Sequence, residues 1–285
     1  MSAAPLPVLL PAAERLERAA RRERAEGVRW HLQASHGMGL AVLFIVGCGI
    51  AQAQGGADKP SVVDTLLKWT QVLAKGFVFN LAISFLAMAI GTVAGFFLGA
   101  ARISLMAPVR GGAWVTINFF RNAPWLVLLF YCMLLLPFQV KVFGTTIPIP
   151  DWTKATLGLA LPVMANVAEI VRGAIQSIPT TQWEAADSLA FTRRQVFWMI
   201  IIPQCVKRML PPWMNLYAIL TMSTVLVSIV GVNDMMTQTQ RVLSAESRPE
   251  LLLAFYSYVL LWFFAYCYPI ARWTVRLEAR YAVRQ

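Results

Sequence analysis

Asn166, Glu169 and Arg172 fall three residues apart inside one apolar run, so on a helix they form a slanted polar stripe. A charge at the middle of a bilayer costs at least about 2.5 kcal/mol, so such groups face a cavity or a partner. Glu169 has two readings. It meets a substrate ammonium or another cation in a polar pathway, or it pairs with Arg172 and serves packing alone. Arg121, Asn122 and Pro124 form a second cluster. There the proline frees a backbone carbonyl, and Arg121 or Asn122 is placed to bind a carboxylate. The plainer reading is an arginine whose head reaches the interface beside a kinked helix. Asn80 and Asn215 also interrupt apolar runs, where such side chains more often bridge helices.

The elements that must carry these residues follow from composition. Of 285 residues, 58% are hydrophobic and 14% are charged. A soluble domain carries about 25% charged residues, and bilayer spans of about 20 apolar residues account for the difference. The apolar runs are 38–53, 76–101, 116–137, 155–171, 211–233 and 251–271. None alternates as a barrel strand does. The expected class is an all-α integral membrane protein. Residues 116–137 contain Arg121 and Pro124 and form the weakest span. Between the first two runs, "VVDTLLKWTQVLAKG" reads as an amphipathic helix on the outer membrane surface.

The net charge of +11 is segregated. Arginines crowd residues 15–29, follow the second run at Arg102 and Arg110, follow the fourth from Arg172 to Arg208, and close the chain from Arg272 to Arg284. Alternate loops carry little net bias. Basic loops stay cytoplasmic, so six spans with both termini inside fit every loop. The basic surplus is a topology signal and no basis for nucleic-acid binding. Residues 1–37 read as a basic cytoplasmic segment, 38–53 as a signal-anchor helix or a cleaved leader, and 54–285 as the main membrane domain.

Several chemistries are excluded. No lysine precedes Ser or Thr, so a GxxxxGK[ST] phosphate loop is missing. The two histidines, His31 and His36, rule out HExxH, and GxSxG does not occur. Cys48, Cys132, Cys205 and Cys267 lack metal-ligand or disulfide spacing. The chain is expected to be no enzyme and to hold no cofactor or metal, so any energy must come from another subunit or an ion gradient.

Residues 179–211 form a charged interval between apolar runs. Thr181 and Glu184 have the spacing of a capping box, and so do Thr192 and Gln195. They predict a helix over 182–190, a tight turn, and a helix over 193–202 that Pro203 interrupts, with Pro211-Pro212 closing the segment. Val196, Phe197, Ile200 and Ile201 would lean on the membrane domain, while Trp183, Glu184 and Asp187 stay exposed. Such a stiff pair is a docking element or a plain interfacial loop.

"EAADSLAFTRRQVFWMIIIPQCVKRMLPPWMN" at 184–215 resembles the EAA loop of ATP-binding cassette importer permeases. "FRNAPWLVLLF" at 120–130, "AEIVRGAIQSIP" at 168–179 and "GFVFNLAISFLAMAIGTVAGFFLGAAR" at 76–102 are similar to three further signatures of their polar-amino-acid branch. The resemblance spans about residues 70–280. It implies about five core transmembrane helices, preceded here by one extra helix. It implies a second permease chain, identical or similar, a cytoplasmic ATPase dimer, a periplasmic amino-acid-binding protein and an amino-acid substrate. Glu184, Ala185, Ala186, Asp187, Leu189 and Ala190 would then couple the chain to the ATPase. Two departures stand out. Ala190 occupies the family's glycine, in a turn where a left-handed conformation costs a non-glycine residue about 1 kcal/mol. Met222-Ser223-Thr224-Val225 replaces the charged KDTS of many relatives. An ion-coupled secondary amino-acid transporter is the alternative, and a non-transporting membrane anchor a third possibility.

Overall fold

The computed structural model describes residues 60–142 and 145–281, with isolated helical positions 39, 42, 44–46 and 49 before them. The chain divides into units 1–41 and 42–285. The basic N-terminal segment, Cys48 and most of the run 38–53 lie outside the described residues.

α1 spans Val62–Arg102. The Ser61 side chain accepts from the Val63 N–H and caps it. At 41 residues it is about 60 Å long, twice the hydrocarbon thickness. The amphipathic helix expected over 62–76 is therefore no separate surface element; it is the first third of α1, extending past the apolar stretch. No proline interrupts the helix here, and Gly76 is buried where a Cβ would lie 2.7 Å from the Met235 Cα.

The run 116–137 is not one span. α2, Ala107–Asn122, and α3, Trp125–Leu135, meet at a 106° bend. Ala123 and Pro124 take extended backbone at the break: proline drives the preceding residue out of the helical region and donates no N–H. A hairpin follows, β1 (Gln139–Val142) antiparallel to β2 (Thr145–Pro148), with Gln139 opposite Pro148. This small element departs from an all-helical chain. The fold is nonetheless an all-α membrane fold.

α4, Asp151–Gln176, returns through the bundle and packs along α1. Gly91, Gly95 and Gly99 make the approach close: Cβ atoms there would fall 2.5 Å from Val163 Cγ1, 2.6 Å from the Met164 carbonyl and 2.8 Å from the Ala168 carbonyl. Small residues let helix backbones approach where no hydrophobic drive separates lipid from protein. The core behind this seam includes Ile83, Leu129, Leu159, Val163, Val167 and Leu220, all fully buried or nearly so.

After α5, Thr180–Ser188, the chain runs as one helical rod: α6 (Arg193–Gln195), a π-helical stretch (Val196–Ile201), α7 (Ile202–Ser223) and a 3₁₀ turn (Thr224–Ser228). Pro203 does not interrupt it, and Pro211 and Pro212 lie inside α7. The π-helical stretch explains why the rod continues through Pro203. The Ile202 N–H bonds the Phe197 carbonyl, a one-residue excess just before Pro203, where an α-helical N–H would otherwise be lost. α8, Met235–Glu246, occupies the expected outer loop, and α9, Leu252–Tyr281, ends the described chain. Four described helices are long and apolar enough to cross a membrane, or five if the α2–α3 pair counts as one span.

Candidate functional site

α2, α4 and α7 line an open cavity of about 550 Å³, within the size range of small-molecule sites. Arg121 ends α2. Asn166 and Glu169 lie on α4, and Arg208 and Asn215 on α7. The two clusters read separately from the sequence thus meet at one place. Arg172 donates from Nε at 3.0 Å and Nη2 at 2.7 Å to Glu169 Oε2, and its Nη1 also donates to Gln176. The Arg121 Nη1 stands 3.7 Å from the same Oε2. Arg121 is thus within ion-pair distance of the carboxylate while its side chain stays 45% exposed. Asn166 donates to the Pro162 carbonyl of its own helix at 2.8 Å. Asn122 turns back to the Asn118 carbonyl at 2.7 Å and does not line the cavity.

Sequence reading gave Arg208 no role of its own, beyond counting it in a basic loop. Its Nη1 donates to the Ser177 carbonyl and, at 2.9 Å, to Ser177 Oγ, so it caps the end of α4 from α7. Asn215 lines the cavity, whereas Asn80 bridges helices as expected. Asp234 was also missed. It is fully buried and accepts from Thr237 N–H at 2.9 Å, Thr237 Oγ1 at 2.8 Å and Asn80 Nδ2 at 3.2 Å. Its place before Thr237, three positions on, was the readable sign of a helix cap.

The charged interval follows directly on the end of α4 where Gly173, Ala174 and Ser177 line the cavity. α5 begins at Thr180, directly after Pro179, and has no side-chain cap, so the box expected from Thr181 and Glu184 does not form. Pro179 already supplies the extended cap geometry, and Thr181 falls one residue too deep. The second box is present: Gln195 Oε1 accepts from Thr192 N–H at 2.9 Å, and the Gln195 N–H reaches Thr192 Oγ1 at 3.4 Å. Between them the Phe191 N–H bonds the Ala186 carbonyl and the Ala190 N–H bonds the Asp187 carbonyl, at 3.2 and 3.0 Å. This is a helix terminator that turns on a left-handed residue. That residue is Ala190, with φ of +57°.

Glu184, Ala185, Asp187, Leu189 and Ala190 are exposed, Leu189 to 71%. Ala186 is buried, and the half-buried Trp183 packs beside it on the core, so the indole is less exposed than expected. Val196 and Ile201 are buried, with Phe197 and Ile200 packed against the same core. Their spacing of one, three and one suits the wider π-helical turn. Gln204 donates to Gln182 at 3.4 Å and links α5 to the rod. The geometry is a short exposed helix held stiffly between α4 and α7, two of the three helices that line the cavity.

Known proteins share this plan. Residues 91–273 match the family described as "Binding-protein-dependent transport system inner membrane component". The chain is 33% identical over 208 residues to the probable amino-acid ABC transporter permease protein YckA of Bacillus subtilis (strain 168), covering 73% of this chain and 88% of that one. It is 28% identical over 185 residues to the L-cystine transport system permease protein TcyB of the same organism, covering 65% and 76%. Among solved structures, a chain of "an amino acid ABC transporter with histidines" superposes with a TM-score of 0.65 at 29% identity, over 75% of this chain and 96% of that one. The MetNI methionine ABC transporter, at 19% identity, TM-score 0.59 and coverage of 75% and 98%, shares the fold. With its broken second span, its glycine seam and its match over residues 91–273, the chain belongs to the inner membrane components of binding-protein-dependent transport systems.

Proposed function

We propose that this chain is the membrane-spanning subunit of an amino-acid importer driven by ATP hydrolysis on separate subunits. α5 seats in a cytoplasmic ATPase, a second permease chain completes the pore, and a periplasmic binding protein delivers substrate. The observation that carries this reading is the exposed face of Glu184, Ala185 and Asp187 on a helix whose opposite side, Ala186, is anchored in the core. A lever must be stiff to transmit a displacement. Here the left-handed turn at Ala190, the Thr192–Gln195 box and the Gln182–Gln204 link remove slack. The rod from Arg193 to Ser228 then reaches the cavity without a break. The relatives' names point to amino acids as the cargo.

An ion-coupled transporter would need a buried carboxylate free to take up a cation. Asp234 is buried, but both its oxygens already accept hydrogen bonds as a helix cap. The deciding experiment is amino-acid uptake by cells carrying the complete system. Uptake that stops when ATP is exhausted and persists when ion gradients are collapsed supports the importer; the reverse pattern rejects it.

A further inference from the structure

The last span ends in a basic groove apart from the cavity. Where α9 leaves the apolar run 251–271, Tyr268, Pro269, Ile270, Arg272, Trp273 and Arg276 line an open groove of about 520 Å³. Arg272 and Arg276 are exposed and, four positions apart, share one helix face. Arg272 lies over the Tyr268 ring at 5.7 Å and donates to the Tyr268 hydroxyl at 3.5 Å. The Trp273 side chain is 65% exposed. Among the described residues no acid lines the groove. Glu278 is two positions from Arg276, where helical side chains do not face each other.

Contacts fix the depth of this groove in the bundle. Arg248, just before α9, donates to the Pro60 carbonyl at 3.1 Å, beside the start of α1. Further along, Phe77 of α1 packs on Phe263 and Tyr266. α9 therefore runs in the direction of α1, towards the end where Gly99 meets Ala168 and Val171 of α4 and where α5 begins. That is the end with the basic loops.

We propose that this groove binds an anionic phospholipid from the leaflet on the side of α5. The lipid phosphate sits on Arg272 and Arg276, and the first acyl carbons lie along Pro269 and Ile270. Guanidinium groups match a phosphate in two-pronged fashion, and basic residues at the cytoplasmic border attract anionic lipids. Tryptophan settles at headgroup level, which is where the end of an apolar span places Trp273. A soluble phosphate satisfies the arginines alone. The apolar floor and the exposed indole add contacts that a lipid's glycerol and acyl chains complete. The site lies on α9, outside the helices that line the cavity, so it stands whatever the cargo is.

The test is native mass spectrometry of the full-length chain in detergent, titrated with phosphatidylglycerol or with phosphatidylcholine of the same acyl chains. The expected result is that the first phosphatidylglycerol binds at least about tenfold more tightly than phosphatidylcholine. Arg272→Gln combined with Arg276→Gln should cut that preference to about threefold or less. Arg110→Gln combined with Lys207→Gln removes the same charge from exposed positions at the same end and should leave the preference in place. Trp273→Ala should weaken both lipids alike. A melting curve of each variant separates these effects from misfolding. Equal losses in the two double variants would mean a diffuse basic surface and overturn the groove. Displacement of the lipid by glycerol 3-phosphate at equal concentration would make the ligand a soluble phosphate and overturn the lipid assignment. A change from dimer to monomer in the Arg272→Gln, Arg276→Gln variant would make this face a contact between copies and overturn it as well.

Discussion

Asn80 and Asp234 stand 154 positions apart, and the Asn80 amide nitrogen donates to the Asp234 carboxylate across 3.2 Å in a fully buried site. Asn80 also donates to Thr224 Oγ1 at 3.0 Å and accepts from the Met235 N–H at 2.9 Å. One side chain thus binds α1 to the start of α8 and to the 3₁₀ turn that ends the long rod. Asn80→Ala would strand a buried backbone donor and remove a partner from a buried carboxylate. A destabilisation of about 1–3 kcal/mol is expected, read as a lower thermal midpoint of the purified protein. A midpoint equal to that of the parent would contradict this account of the junction.

Ala190 holds φ of +57°, where a Cβ is unfavourable and glycine is not. Ala190→Gly should raise stability by up to about 1 kcal/mol. Uptake should be unchanged or faster, because the turn keeps its shape. A lower melting temperature in Ala190→Gly would show that the strain is relieved by contacts not accounted for.

The α1–α4 seam tolerates no added methyl group. At Gly95 a Cβ would lie 2.6 Å from the Met164 carbonyl, so backbone must move. Gly95→Ala should cost about 1–3 kcal/mol, as overpacking does. Gly111, in α2, has open space around it, and Gly111→Ala should be neutral or stabilising by up to about 1 kcal/mol. Melting curves of the two variants, measured side by side, check the contrast.

Glu246, at the end of α8, accepts from Trp69 Nε1 at 2.7 Å and Lys68 Nζ at 3.0 Å. The Trp69 hydrogen bond, followed by that of Lys68, holds its carboxyl below the usual carboxylate value. The folded value is depressed, so the stabilisation is fully present above the unfolded value of about 4.3 and is lost as pH falls through the folded one. The melting-temperature gap between the parent and Glu246→Gln should be constant from neutral pH to about pH 5 and close below about pH 4. A gap that widens on acidification would reverse the sign.

The four long spans were legible because apolar length is a strong signal, and the break at Ala123-Pro124 was foreshadowed by Arg121 and Pro124 inside one run. The prolines after the charged interval misled. Pro203, Pro211 and Pro212 read as stops, but a π-helical turn and surrounding helices absorb them. The two polar clusters were legible as types and spacings. Their meeting across α2 and α4 was not, because a contact between residues 121 and 169 leaves no local periodicity. Arg208 was passed over for the same reason, since its partner Ser177 lies 31 positions away, whereas the spacing of Asp234 to Thr237 was a local sign that went unremarked.

The central claim is that α5 hands the stroke of a separate ATPase to the helices around the cavity. The most direct measurement is ATP-dependent amino-acid uptake by cells carrying Ala185→Trp, which adds bulk to the exposed face of α5 and leaves the buried Ala186 in place. The account predicts uptake at background, with membrane insertion and ligand binding to the cavity at parental levels. Parental uptake in Ala185→Trp would contradict it.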